Sequence, residues 1–249
     1  RNRAMVPIID LRGNVIAFGG RVLDDSKPKY VNTSDTLVYK KSNGVFALNF
    51  AKNGNPSSLI VCEGYMDVIA LHQAGFTNSI ACLGTALTQE QARLISRYAD
   101  EVILSYDSDE AGQKATKRAI GIFGQTGLKI RVLKLTGGKD PDEIIKNYGK
   151  EKFQNLLDGA ANDIEYSILR ERDKYDLESI DGKSKFLTAV ADILSTGNSI
   201  EQDIYATKLA NEMSVSKDAI MQEIKRAYKR LTRAQSKEQF NEIVRDTVI

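Results

Sequence analysis

Short continuous apolar runs alternate along the middle of the chain with stretches in which apolar residues recur every three or four positions. Runs of the first kind lie within Leu59–Cys62, Ser79–Leu83 and Glu101–Tyr106. They are bounded by turn formers, as strands buried on both faces of a parallel sheet are. Between and after them, Tyr65–Gln73, Thr88–Tyr98 and Glu110–Phe123 have helical spacing. Gly75 stands where the first helix must end, and Thr88 with Gln91 has the spacing of a capping box. Lys129–Leu135 alternates apolar and basic positions, as an edge strand does. Asp140 and Pro141 then offer a cap and a first-turn proline for a further helix. This rhythm predicts an α/β fold over residues 58–149: a small, mostly parallel sheet with helices on both faces.

The flanks read differently. Residues 1–57 predict β structure with turns: strands at Met5–Ile9 and Val15–Phe18 pair as a hairpin around Arg12, Gly13 and Asn14, with Pro7 marking an edge or bulge. Residues 23–37 lack periodicity and are expected to form an ordered loop. From residue 150 onward the pattern is helical, over 151–158, 162–175, 183–195, 200–213, 216–233 and 236–247. Ile200, Ile204, Leu209 and Met213 are expected to form one apolar face. The predicted domains are a basic, β-rich subdomain (1–57), the α/β domain (58–149) and a helical bundle (150–249).

Composition adds boundaries. With 42% hydrophobic and 27% charged residues, the chain has the make-up of a folded globular protein. No apolar run approaches the ~20 residues that span a membrane, and no secretory signal opens the sequence. It starts at Arg1 without Met, which suggests an excised fragment. Cys62 and Cys82 both fall inside strand runs and are expected to be buried thiols of a reducing compartment. Two Cys and the single His72 cannot build the usual zinc motifs. The net charge of +2 hides an asymmetry: residues 1–58 hold nine Lys+Arg against four acids, whereas 59–143 hold nine against eleven. The first third is therefore the part suited to a polyanion. Its Arg1, Arg3, Arg21, Lys29, Lys40 and Lys41 are interleaved with Tyr30 and Tyr39, although a merely solvated basic face fits the same composition.

Candidate chemistry sits at the strand ends. Glu63 follows the first sheet strand, and Asp107 and Asp109 follow a later one. In open α/β sheets ligands bind outside the carboxyl ends of the strands. Acids this close repel one another unless a cation lies between them, and hard carboxylates without thiolate or imidazole suit Mg²⁺ or Mn²⁺. Asp140 and Asp142 follow another strand of the same sheet, although capping alone accounts for Asp140. Metal ions held by such acids suit in-line attack of a 3′-hydroxyl on an α-phosphate. No His, Cys or Lys nucleophile stands near the acids; Tyr65 is the one neighbour with that capacity.

The E-G-Y-M-D of residues 63–67 with the D-S-D-E-A-G of 107–112 resembles the TOPRIM signature of primases, topoisomerases and some nucleases. R-N-R-A-M-V-P-I at the start, V-I-A-F-G-G-R at 15–21, P-K-Y-V-N at 28–32 and G-K-D-P-D at 138–142 narrow the resemblance to bacterial DnaG-type DNA primases. It covers nearly the whole chain and is weakest after about residue 150. Ser108 stands where that family often has Gly.

The resemblance implies a nucleotidyltransferase core that makes RNA primers on single-stranded DNA from ribonucleoside triphosphates, yielding an RNA–DNA hybrid in the bacterial cytoplasm. It implies Glu63, Asp107 and Asp109 as catalytic metal ligands, with Asp67, Asp140 and Asp142 completing the acid cluster around two or more Mg²⁺ or Mn²⁺ ions. Arg1, Arg3, Arg21, Lys29 and Lys41 become the nucleotide- and template-contacting residues. It further implies zinc only in an amino-terminal domain outside this segment, contact with the replicative helicase through a domain also outside it, and no membrane. Two rivals stay open: a non-catalytic metal- and nucleic-acid-binding TOPRIM module, and a TOPRIM nuclease. Activity of the segment alone is likewise open.

Overall fold

The computed structural model describes residues 2–83 and 86–247. The chain divides into two compact units, residues 1–163 and 164–249.

The first unit opens with an antiparallel sheet of β1 (Arg3–Ile9), β2 (Val15–Val22) and β3 (Tyr30–Asn32), in that order. The β1–β2 turn is closed by the Asp10 carboxylate, which accepts the amides of Arg12 and Asn14, and Gly13 supplies a φ of +93°. Pro7 lies on an edge strand, and the register shifts between Ile8 and Ile9, as the sequence suggested. The 23–37 loop carries an unpredicted strand: β3 pairs Tyr30 with Arg21 and Asn32 with Gly19. Three residues are too few for any periodicity to register.

After a short helix α1 (Leu48–Ala51) comes β4 (Ser58–Cys62), α2 (Tyr65–Gln73), β5 (Ser79–Ala81), α3 (Gln89–Ile95), β6 (Glu101–Ser105), α4 (Glu110–Phe123), β7 (Lys129–Val132), α5 (Pro141–Asp158) and β8 (Ala161–Asn162). The strand order is β5-β4-β6-β7-β8. All pairings are parallel except the last. β7 is therefore not the edge that its alternation predicted; two residues of β8 cover it. Because β5 and β6 lie on opposite sides of β4, the chain reverses its winding between β4 and β6, and a crevice opens there at the carboxyl ends.

Period-2 alternation sends Ile60, Cys62 and Ile103 into a core shared with Val68 and Leu71 of α2, and with Ile144 and Phe153 of α5. Leu59, Val61, Val102 and Leu104, each at 0% exposure, face the other side of the sheet. Each such side chain contributes about 1.5–3 kcal/mol by leaving water, so the strand ends are firmly held. The capping box at Thr88 and Gln91 is present as predicted. The helix predicted from Pro141 and the one predicted over 151–158 are both present, joined as α5 across a kink at Gly149, whose φ is +76°. Phe153 and Leu157 pack into the sheet's core, so the stretch 150–158, predicted for the helical bundle, stays with the first unit. Arg131 of β7 caps that helix's end by donating to the carbonyls of Leu157, Asp158 and Ala160.

The second unit is helical, comprising α6 (Asp163–Arg172), α7 (Ile180–Leu194), α8 (Ser199–Met213) and α9 (Lys217–Thr247). Its core includes Phe186, Val190, Leu194, Leu209, Met213 and Ile224. The predicted face of α8 is half right. Leu209 and Met213 are buried, but Ile200 is 70% exposed and Ile204 59%. The buried stripe is Ala206, Leu209, Ala210 and Met213, a cleaner i, i+3, i+4, i+7 set. α9 runs on where two helices were predicted, since no Gly or Pro interrupts residues 217–247.

Candidate active site

Each acid is delivered by a turn or helix start around the crevice. β4 ends at Cys62, so Glu63 stands on the turn before α2, and its Oε1 accepts the Asp107 amide at 3.1 Å. That bond joins the β4 turn to the β6 turn. Asp109 begins α4 as its cap, accepting the Gly112 amide at 2.8 Å. A Cβ on Gly112 would stand 2.1 Å from the Asp107 carbonyl oxygen and 2.9 Å from Glu63 Oε1, so only glycine lets these turns meet. Asp67 lies in the first turn of α2 at 9% exposure. Its Oδ1 lies 3.5 Å from the Asp142 amide. Asp140 caps α5 through the Glu143 amide at 2.8 Å, and Asp142 pairs with Lys146 at 2.6 Å. The Ser108 amide donates to the Lys139 carbonyl at 3.0 Å, tying the loop before α5 to the loop after β6.

All six acids line one cavity of about 500 Å³. Burial, with the charges of Asp140 and Asp107, pushes the Asp67 carboxyl up to about 7. Burial, with Glu63, Asp140 and Asp109, pushes Asp107 up to about 6, while Lys139 acts against this rise. Burial also raises Glu63. These carboxylates are under mutual repulsion that a divalent cation would relieve, and an all-oxygen donor set fits Mg²⁺ or Mn²⁺. Among the described residues no group of three or more acids, histidines or cysteines stands close enough together to hold a metal ion as it is. The hydrogen bonds above occupy part of the acid set.

Arg21 and Lys29 line the same cavity. Their cationic groups lie 5.8 and 5.6 Å from the centroid of the Tyr30 ring, which meets Tyr65 edge-on at 5.6 Å. The other predicted basic residues are elsewhere. The Arg3 guanidinium donates to the Pro28 and Lys29 carbonyls at 2.7 and 3.3 Å, bracing the segment that carries Lys29. Lys41 does not line the cavity; its amide donates to Asp35, and its carbonyl accepts from Gln91. Arg1 lies outside the described residues.

Tyr30, Asn32, Tyr65 and Lys139 also line the cavity, though none was among the predicted site residues. Asn32 Oδ1 and Tyr65 OH are buried without a hydrogen-bond partner among the described residues. Gly19 makes room for Tyr65, since a Cβ there would stand 2.9 Å from Tyr65 Cε1. All four, Tyr30, Asn32, Tyr65 and Lys139, lie within the P-K-Y-V-N, E-G-Y-M-D and G-K-D-P-D stretches, and the sequence marked Tyr30 only as an aromatic among basic residues and Tyr65 only as a nucleophile candidate. The cysteines are free and buried, as predicted. Burial pushes Cys82 up to about 12 and Cys62 well above its ordinary value.

Three family models match successive segments: "DNA primase catalytic core, N-terminal domain" over 1–52, "Toprim-like" over 60–145, and "DnaB-helicase binding domain of primase" over 164–218. The last match corrects the expectation that the helicase-binding domain lies outside this segment. A packed helical bundle displays no chemical motif, so sequence reading passed over it. The DNA primase of Clostridium acetobutylicum is 43% identical over 221 residues, covering 88% of this chain and 37% of that protein. The chain thus spans between a third and two-fifths of this relative. A crystal structure of a DNA primase domain from Pseudomonas aeruginosa matches with a TM-score of 0.73 at 35% identity, covering 90% of this chain and 72% of that one. A structure of the DnaG primase catalytic domain bound to single-stranded DNA matches with a TM-score of 0.73 at 34% identity, covering 88% and 71%.

Proposed function

The chain belongs to the bacterial DnaG-type DNA primase family, and from that premise we propose that its cavity is the centre of metal-dependent, template-directed ribonucleotide transfer. The observation that carries this reading is the convergence of six carboxylates from the ends of β4, β6 and β7 and the starts of their helices, facing Arg21 and Lys29. Glu63, Asp107 and Asp109 are the proposed catalytic ligands, with Asp67, Asp140 and Asp142 as further acids of the cluster. Bound there, two or more Mg²⁺ or Mn²⁺ ions would lower the pKa of a primer 3′-hydroxyl and offset phosphate charge. The Glu63 bond to the Asp107 amide fixes the spacing between the two acid-bearing turns. The buried strands behind them keep the carboxylates from drifting apart. Arg21 and Lys29 are suited to phosphates of a nucleotide or template, where charge sets position and not sequence. Arg1, Arg3 and Lys41 are proposed as outlying contacts to the same polyanion.

The proposed substrates are ribonucleoside triphosphates and single-stranded DNA, and the product an RNA–DNA hybrid. The relative solved with single-stranded DNA supports the template. Residues 164–218 are the proposed helicase contact. The three family matches, over 1–52, 60–145 and 164–218, support the first two proposed domains, 1–57 and 58–149, and a helical one that begins near 164 instead of 150. Zinc is assigned outside this segment: both thiols are buried, and His72 Nε2 lies 2.9 Å from the Ser79 carbonyl oxygen. No described helix is long and apolar enough to cross a membrane, and the bacterial cytoplasm is the proposed compartment.

The test is ribonucleotide incorporation on single-stranded template by the protein that carries this sequence. Glu63→Gln, which removes the charge, should sharply reduce synthesis, and Glu63→Asp, which retracts it by one methylene, should reduce it by about a hundredfold, while DNA binding survives in both. Synthesis at wild-type level by Glu63→Gln removes Glu63 from the chemistry. Template cleavage without synthesis would instead mark a nuclease, and DNA binding with neither activity a non-catalytic module.

A further inference from the structure

Six carboxylates line the cavity together with two lysines, Lys29 and Lys139, and of these Lys139 stands in the acid-bearing loop itself, next to Asp140. Its backbone is held at both ends. Its amide donates to Glu143 Oε2 at 2.8 Å, and its carbonyl accepts the Ser108 amide at 3.0 Å. Gly138 before it is equally constrained, since a Cβ there would meet Ile144 at 2.9 Å. The side chain therefore starts from a fixed point on the acid wall. Lys146, four residues beyond Asp142, is held by that acid at 2.6 Å. Lys139 is not so held: its ammonium makes no salt bridge or hydrogen bond among the described residues, despite six acids around the same cavity. A cation that lines a site, is anchored by its main chain and is held by no hydrogen bond or salt bridge, only by the longer-range attraction of Asp107, is placed to meet an incoming anion.

We propose that Lys139 binds the polyphosphate of the incoming ribonucleotide and holds it against the acid wall. This deepens the nucleotidyl-transfer reading and rests on it. Lysine suits the task because its ammonium is a point charge with rotatable donors, able to follow a phosphate chain. The polyphosphate is the fitting partner for a cation on this wall, because it is the part of the substrate that divalent ions would draw towards the acids. Arg21 and Lys29, beside Tyr30, remain for other phosphates of nucleotide or template. The competing explanation is that Lys139 only softens repulsion among the carboxylates. The two differ in sign: a softening charge opposes metal binding, and its loss leaves nucleotide affinity unchanged or better.

The test is equilibrium binding of ATP and of AMP, with Mg²⁺, to this 249-residue chain and to its Lys139→Gln and Lys139→Arg variants. Mn²⁺ and single-stranded DNA are titrated separately. Lys139→Gln should weaken ATP by about tenfold or more, the usual scale for losing one charge-assisted contact. It should leave AMP within about twofold. Lys139→Arg should retain ATP within about threefold, since the charge persists. Mn²⁺ alone should bind the Gln variant as tightly as the wild type, or more tightly. Unchanged ATP affinity, equal losses for ATP and AMP, or a loss confined to single-stranded DNA would each overturn the proposal while leaving the polymerase reading intact. Failure of the wild type to bind ATP overturns both.

Discussion

Asp67 is nine-tenths buried on α2 and stands near three other acids, and this has a consequence for stability. Its carboxyl is pushed up to about 7 from an ordinary 3.8, by burial first and then by Asp140 and Asp107. A carboxyl whose folded pKa is raised favours the fold most below its unfolded pKa, and this support is lost as pH climbs through the folded value. Without divalent ions the window is therefore about pH 4 to 7, and Asp107 adds a narrower loss ending near 6. At ~1.36 kcal/mol per pKa unit, the penalty from Asp67 is on the order of 4 kcal/mol above pH 7. Asp67→Asn should raise the melting temperature in EDTA at pH 8 by several degrees and change it little at pH 4. Thermal denaturation at the two pH values checks this, and an equal effect at both would show that Asp67 carries no such penalty. At this scale the sequence was informative about acids and poor about their neighbours. Glu63, Asp107, Asp109, Asp140 and Asp142 were legible because they follow apolar runs. Tyr30, Asn32 and Lys139 were not, because what qualifies them is which distant turn they face.

The elements were legible where burial imposed a pattern. β4, β6, α2 and α4 lie where the apolar runs and caps put them, and those four deliver most of the acids. β3 and β8 escaped detection because two or three residues carry no period, although β3 brings Tyr30 and Asn32 to the cavity. The exposed Ile200 and Ile204 show the opposite failure: apolar residues at helical spacing need not be the buried stripe when small residues such as Ala206 and Ala210 let the neighbouring helix approach. Gly112 ties an element to the site. A Cβ there would enter the Asp107 carbonyl at 2.1 Å, a backbone contact that no rotamer change relieves. Gly112→Ala should thus displace the start of α4 or the Asp107 turn, costing about 1–3 kcal/mol in stability. On the function proposed above, it should also reduce primer synthesis by the protein that carries this sequence by about tenfold or more. A melting curve and a synthesis assay at wild-type levels would show that the two turns need not meet so closely. Gly121→Ala, whose Cβ would meet nothing within 4 Å, is the matched control in the same helix.

For the whole molecule, the sequence conveyed architecture better than the division of labour. The α/β sheet with helices on both faces and the helical segment after it follow from periodicity and length. The stretch 150–158 was misassigned because its helical pattern does not reveal that Phe153 packs on the sheet. The 164–218 segment reads from the sequence only as a structural or docking bundle, because it carries no chemical motif that would say more. The charge asymmetry, by contrast, survives into three dimensions: Arg21 and Lys29 from the basic third face acids from the middle third across one cavity. The central claim is that those acids jointly hold a divalent cation. The most direct measurement is a Mn²⁺ titration of the wild type and of an Asp107→Asn, Asp109→Asn double variant, each shown to be folded. The expected result is at least a tenfold loss of affinity in the double variant, because two of the three proposed catalytic ligands lose their charge. Equal affinity would contradict the claim and leave the cluster a set of caps and turn acids.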